Sequence, residues 1–239
     1  MRLLAVIVLS CPLYAQALRE KAADSKMLGL TAASAGDLET AAKHFGKACE
    51  LAPKGEDNCY YFARTLHALA RYGEARTPFE IALKSAAGKK RERVERAVAL
   101  NFVALDRPEE AERHFRESLL ARAASDRSGE DAGIDYGAFL SRQGRAAEAV
   151  EVLGQTLKDA PDSSRAHLEM GRALIHLGRT ELAAQRLEKA VKLDPAAWAA
   201  RLLLGKAYLE LGRAADGERE LRLGQAGWSR QDYGSSTVR

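Results

Sequence analysis

Apolar and small residues return along this chain on a long beat. Ala41, Phe45 and Ala48 recur as Ala75, Phe79 and Ala82, a shift of 34 residues. The trio then reads Ala111, Phe115, Ser118, next Ala149, Leu153, Thr156, next Ala183, Leu187, Ala190, and in eroded form Gly217, Leu221, Gly224. A period of this length predicts a stack of like supersecondary units in place of one globular core.

Aligned on that beat, six units start near Ala22, Glu56, Glu92, Glu130, Ser164 and Trp198. Their eighth places hold Gly29, Ala63, Ala99, Gly137, Gly171 and Gly205, and their twentieth places Ala41, Ala75, Ala111, Ala149, Ala183 and Gly217. Side chains this small let two helix backbones approach closely. Bulky residues flank them at the seventh place (Leu28, Phe62, Val98, Tyr136, Met170, Leu204) and the eleventh (Ala32, Leu66, Phe102, Leu140, Leu174, Tyr208). Offsets of three and four residues put these on one helical face, so each unit reads as an antiparallel helix pair, knob against gap.

Turn signals fall between the two helices of a unit. Gly36, Gly144, Gly178 and Gly212 suit the left-handed residue that ends a helix. In the third unit Asp106 is expected as an N-cap ahead of Pro108. Pro53, Pro161 and Pro195 close three of the units, and Pro78, inside a second helix, is expected to kink it. The spacing stretches to 36 residues between Ala75 and Ala111 and to 38 between Ala111 and Ala149; the longer insertion, residues 125–129, reads as a loop where the array bends.

These residues resemble the tetratricopeptide repeat family. The likeness rests on Leu69-Ala70-Arg71-Tyr72, Leu177-Gly178-Arg179 and Leu211-Gly212-Arg213 with the Ala, Phe, Ala and Pro positions that follow them, and it covers about residues 22–224. The fourth place departs from the family, where a large aromatic is frequent: it holds Ser25, Cys59, Glu95, Gly133, His167 and Arg201. The resemblance implies an all-α fold, an α-α solenoid superhelix of about six helix–turn–helix repeats at residues 22–55, 56–89, 92–125, 130–163, 164–197 and 198–224, followed by a tail, 225–239. No polar helix follows the sixth unit, so either Trp228 and Tyr233 fold back over it or another chain covers it, which makes self-association an expectation.

The resemblance also implies that the first helices line a concave face. Places two, five, nine and twelve form its outward stripe, rich in cations: Lys26, Arg64, Arg93, Arg96, Arg165, Arg172 and Lys206, against Asp57 and Asp131. Two readings follow: a groove for a protein or peptide segment that is acidic or ends in a free carboxylate, which Arg grips through two hydrogen bonds, or a solvated helix face. Tyr60, Arg64 and His67 form the tightest cluster of candidates. No Asn occupies the stripe, so the Asn-based carboxylate clamp of some relatives is not expected.

Composition adds that the chain, 239 residues with a formal charge of +4, has nearly balanced acids and bases. The basic run from Lys89 to Arg93 lies at an inter-unit turn without interleaved aromatics, so nucleic acid is not an expected partner. No phosphate loop, HExxH, CxxC or nucleophile elbow is present, and the five histidines are scattered. Neither enzyme activity nor a cofactor or metal is expected.

Residues 1–17 stand apart: a basic start at Arg2, an apolar run from Leu3 to Leu9, and Ala15-Gln16-Ala17 as a small-x-small cleavage pattern. This reads as a secretory leader, and so as a periplasmic or secreted product, with a buried N-terminal helix as the alternative. Val8-Leu9-Ser10-Cys11 loosely resembles a lipobox; acylation of Cys11 would anchor the product to a membrane, like the six-repeat lipoproteins that place pilus secretins. Cys49 and Cys59 lie equally far from the turn between the first two units, so antiparallel packing brings them within reach of a disulfide in an oxidising compartment, the alternative being two buried thiols.

Overall fold

The structure, a computed structural model, describes residues 12–55, 57–123 and 131–235. Among these it has twelve α-helices and no strand. They are α1 (Pro12–Ser34), α2 (Leu38–Leu51), α3 (Asn58–Ala68), α4 (Tyr72–Ser85), α5 (Gly88–Ala104), α6 (Pro108–Ala123), α7 (Asp131–Arg142), α8 (Ala146–Asp159), α9 (Ser164–His176), α10 (Thr180–Leu193), α11 (Trp198–Glu210) and α12 (Ala214–Ser235). Consecutive odd and even helices form the pairs, as an all-α helical-repeat solenoid requires. The chain divides into two compact units, residues 1–126 and 127–239, each holding three pairs. Cys11, most of the leader and the expected bend at residues 125–129 lie outside the described residues.

Every pair closes through the same turn. Place fifteen is left-handed in all six: Gly36, Ala70, Asp106, Gly144, Gly178 and Gly212 have positive φ. The N–H of the next residue donates back to the carbonyl of place eleven at 2.8–3.0 Å, as in Arg179 to Leu174 and Arg213 to Tyr208. This bond and the shorter one inside it satisfy carbonyls that a helix end leaves open. Asp106 therefore ends α5 and is not the N-cap of α6. Its φ of 55° places it where the other repeats use mostly glycine, and Asp is among the few side chains that tolerate that region.

The small places do the close packing. A Cβ on Gly171 would lie 2.6 Å from Leu187 Cγ, one on Gly137 2.6 Å from Leu153 Cγ, and one on Gly29 2.7 Å from the Phe45 ring. Place eight thus receives the large side chain at place twenty-four of its own repeat. Place seven reaches the preceding repeat: Phe62 lies 3.3 Å from where a Cβ on Gly46 would stand, and Met170 Cε 3.8 Å from one on Gly154. Leu28 has no described repeat ahead of it and is 53% exposed.

α4 continues through the buried Pro78 to Ser85. α12 runs past Gly224 to Ser235, so residues 225–235 extend the last helix and do not form a separate tail. Gly224 and Gly227 give it room: a Cβ would stand 2.9 Å from Leu202 at the first and 2.0 Å from the Trp198 ring at the second. The helix extension covers one side of Trp198.

Candidate functional site

The two units are considered one at a time. In residues 1–126, Tyr60 is 2% exposed. Arg93 lies over its ring at 4.4 Å and donates to Asp57 Oδ2 at 2.7 Å. Arg64 approaches the same ring at 5.8 Å and is exposed. The His67 Nδ1–H donates to Asn101 Oδ1 at 3.1 Å, and the Asn101 amide donates to the Tyr72 carbonyl at 3.0 Å. The structure therefore brings Tyr60 and Arg64 together, but it spends Tyr60, His67 and Arg93 on contacts between the second and third repeats. Only Arg64 of that cluster faces outward. Arg96 is partly buried on α5. Lys26 lines a cleft of about 730 Å³ between α1 and the α2–α3 turn, with Ala15, Leu18 and Pro53.

The basic run is occupied in the same manner. Lys90 Nζ stands 3.9 Å from Asp57, Arg91 pairs with Glu95 at 2.9 Å, and Arg93 holds Asp57. Each of these three cations faces a carboxylate of its own chain.

In residues 127–239, Arg165 repeats the Arg93 arrangement. It bonds Asp131 at 2.9 Å and also Asp135, both on α7. Asp57 with Arg93, and Asp131 with Arg165, are second-place residues of successive repeats. Arg172 Nε lies 3.7 Å from Glu169 Oε2 and forms no hydrogen bond. Lys206 is exposed on α11. Around these two cations the same helices present apolar side chains: Leu168 and Ile175 are partly buried on α9, Leu202 is partly buried on α11, and Leu209 there is 43% exposed.

The irregular fourth place proves to be internal. Cys59 is bonded to Cys49, joining α2 to α3 with Cα atoms 4.6 Å apart. Glu95, 2% exposed, accepts from His114 at 2.7 Å and from Arg91. Gly133 is required because a Cβ would stand 2.0 Å from Thr156 Oγ1. Arg201 pairs with Glu220 at 2.7 Å and donates to the Pro195 carbonyl. His167 donates from Nε2 to the Pro161 carbonyl at 3.0 Å, while its buried Nδ1 has no partner. Burial holds the His167 pKa below its ordinary value. In place of one repeated aromatic, the second, third, fifth and sixth repeats each use a different covalent or polar contact at this position.

One feature near this site escaped the reading of the sequence. The turns before α9 and α11 enclose an open cleft of about 750 Å³, lined by Leu168, Trp198 and Ala199 among others. At the α2–α3 turn the cleft beside Tyr60 measures only about 60 Å³, while the one that Lys26 lines measures about 730 Å³. Among the described residues no group of three or more His, Cys, Asp or Glu could hold a metal, and no helix is long and apolar enough to cross a membrane.

The repeat geometry agrees with comparison to known proteins. The tetratricopeptide repeat family model matches residues 140–188 and 174–226, and a second model of that repeat matches residues 27–54. Residues 27–54 and 140–226 are thus tetratricopeptide repeats, and the helix pairs between them keep the same geometry. Among solved structures it is similar to PilW, a widely conserved type IV pilus biogenesis factor, at 20% identity and TM-score 0.73, over 87% of this chain and 94% of that one. It is similar to a tetratricopeptide repeat protein from Parabacteroides merdae at 14% identity and TM-score 0.65, over 85% and 78% of the two chains. It is also similar to YrrB, a repeat protein with an unusual peptide-binding site, at 18% identity and TM-score 0.56, over 78% and 93%. At these identities the likeness is one of fold. No curated protein matches the chain.

Proposed function

We propose that this chain is an exported, non-catalytic scaffold that holds segments of other proteins along the first helices of its repeats. The observation that carries the reading is the face of α9 and α11. There Leu168 and Ile175 are partly buried against the core, and Leu202 and Leu209 rest on the α12 glycines, with Leu209 still 43% exposed. These four alternate with Arg172 and Lys206 on adjoining helices. Such a strip suits an extended or helical segment with apolar anchors and an acidic group or terminal carboxylate between them. PilW and YrrB, which share the fold, are described as a pilus biogenesis factor and a peptide-binding protein. Because Arg93 and Arg165 already hold carboxylates of their own chain, the acidic preference rests on Arg172 and Lys206 here, and on Arg64 in residues 1–126.

Export is supported by the leader pattern and by two structural facts. Residues 14–17 bury no side chain and the first buried one among the described side chains is Ala22, so none of residues 14–17 is held by packing. The Cys49–Cys59 pair has the geometry of a bridge of the kind that persists in oxidising compartments.

The test is affinity capture from the native envelope fraction by wild type, Arg64→Glu, and Arg172→Glu with Lys206→Glu. Loss of the captured partners in the paired variant, with helix content unchanged, is the expected result; identical partners in all three would sink the scaffold reading of these faces. The fold likeness to PilW over nearly the whole of both chains favours a second reading, an envelope-anchored assembly factor acylated at Cys11. Mass spectrometry of the mature N-terminus separates the two: a diacylated Cys11 supports the anchored form, and a start at Gln16 or Leu18 removes it.

A further inference from the structure

The cleft between the two inter-repeat turns carries a charge opposite to that of the strip beside it. Its floor is apolar: Leu168 from α9, and Trp198 and Ala199 from the start of α11. Trp198 is held in place. Gly227 presents bare backbone to its ring, where a Cβ would come within 2.0 Å of Trp198 Cε3, so α12 covers one side while the residue walls the cleft. An aromatic braced in this way loses little freedom on binding and makes a strong anchor.

The rim is acidic. Asp162 and Asp194 belong to the two turns that form the mouth. Asp194 is oriented by the Ala196 N–H at 2.9 Å and makes no ion pair among the described residues. Asp162 reaches Lys189 at 3.1 Å with its side chain still 76% exposed. The one cation in the lining, Arg165, is offset by Asp131 and Asp135 as Asp162 is in part by Lys189, so the negative charge of the rim rests chiefly on Asp194.

We infer that this cleft is a docking site for a protein segment carrying an apolar side chain next to a lysine or arginine. The apolar group enters against Leu168 and Trp198, and the neighbouring cation lies between the Trp198 ring and the carboxylates of Asp194 and Asp162. A cleft of about 750 Å³ is of the size that receives one or two large side chains. The inference rests on the scaffold reading only in needing a protein partner. In residues 1–126 the small cleft beside Tyr60 is closed by that ring, and the larger one at the same turn has Lys26 where Leu168 stands and no aromatic in its lining, so neither repeats this site.

The test is selection from a displayed library of random peptides on the full chain, followed by affinity measurements on the enriched sequences. Enrichment of an apolar residue beside Lys or Arg is expected. Asp162→Asn with Asp194→Asn should weaken those peptides about fivefold and flatten their salt dependence. Ala199→Arg, on a partly exposed position, should weaken them at least about tenfold by filling the cleft with a like charge. Circular dichroism of each variant checks the fold. Peptides that are acidic, or that depend on Arg172 and Lys206 but not on Asp162, Asp194 or Ala199, overturn the inference and leave the scaffold reading standing. A library that yields nothing overturns both. Dimers dispersed by Ala199→Arg would make the occupant a second copy and overturn the inference as well.

Discussion

Gly171 and Leu187 fit together only because the glycine has no side chain: a methyl group there would lie 2.6 Å from Leu187 Cγ, and Leu187 is fully buried. The same contact joins Gly137 to Leu153. Gly171→Val should therefore destabilise the chain by about 2–3 kcal/mol, despite replacing a poor helix former. Urea denaturation of Gly171→Ala, Leu187→Ala and the double variant gives the sharper measure. The added methyl should cost much less once Leu187 is truncated, and strictly additive effects would show that the two residues are not coupled.

Ala70 has a φ of 57° at the turn place that glycine fills in four of the six repeats. An alanine held there costs about 1–2 kcal/mol relative to ordinary backbone, while glycine adopts it freely. Ala70→Gly should raise stability by about 1 kcal/mol, read as a higher denaturation midpoint with an unchanged slope. A lower midpoint would mean that the Ala70 methyl makes a contact worth more than the strain.

The Cys49–Cys59 bridge closes a loop of sequence separation 10. Loop closure of that size predicts a loss of about 2–3 kcal/mol on paired Cys→Ser replacement. Both cysteines are buried, so the native protein should resist alkylation without denaturant even after mild reductant treatment. Rapid modification of two thiols in protein purified from its native compartment would contradict the bridge.

His167 gives the fold a dependence on pH. Burial disfavours its imidazolium, so the folded pKa lies below the ordinary 6.5 of the unfolded chain. Below that value the unfolded chain binds the extra proton first. The contribution to stability is therefore whole above about pH 6.5 and is lost as pH falls towards the folded pKa. His167→Gln, which keeps an N–H for the Pro161 carbonyl, should lose less stability than wild type between about pH 7.5 and pH 5. Equal losses in thermal melts would assign the pH dependence to other groups.

Much of the architecture was legible because repetition averages out local ambiguity. Gly or Ala at places eight and twenty, read against Phe or Leu at place twenty-four, announces helix pairs before any propensity is counted. The same alignment could have placed Asp106. It falls in register with Gly36 and Gly144, but the aspartate side chain suggested a cap, and tertiary register prevailed. Arg93 and Arg165 looked like groove cations because each was read along its own helix. Their acids sit at place two of the preceding repeat, 36 and 34 residues away, so the signal lay across the repeats. Residues 225–235 read as a tail for their glycines, yet Gly224 and Gly227 are what let α12 lie against Leu202 and Trp198. The cleft was illegible for a simpler reason. Two turns and a tryptophan make it, and only packing shows how far apart they stand.

A linear stack gives way first where a repeat is gripped from one side, and the exposed Leu28 marks such a place among the described residues. The sulfur bridge crosses the interface behind it, from α2 to α3. When the first pair melts, its second helix stays tethered within a few ångströms of its seat and finds it again by local search. Under a pull applied from the N-terminal side, the load would pass at Cys49 straight into Cys59, and the turn between them would carry no tension. Fraying of the first described pair is thus held at its second helix, and a steady pull would test α3 at Cys59 before it could stretch the turn.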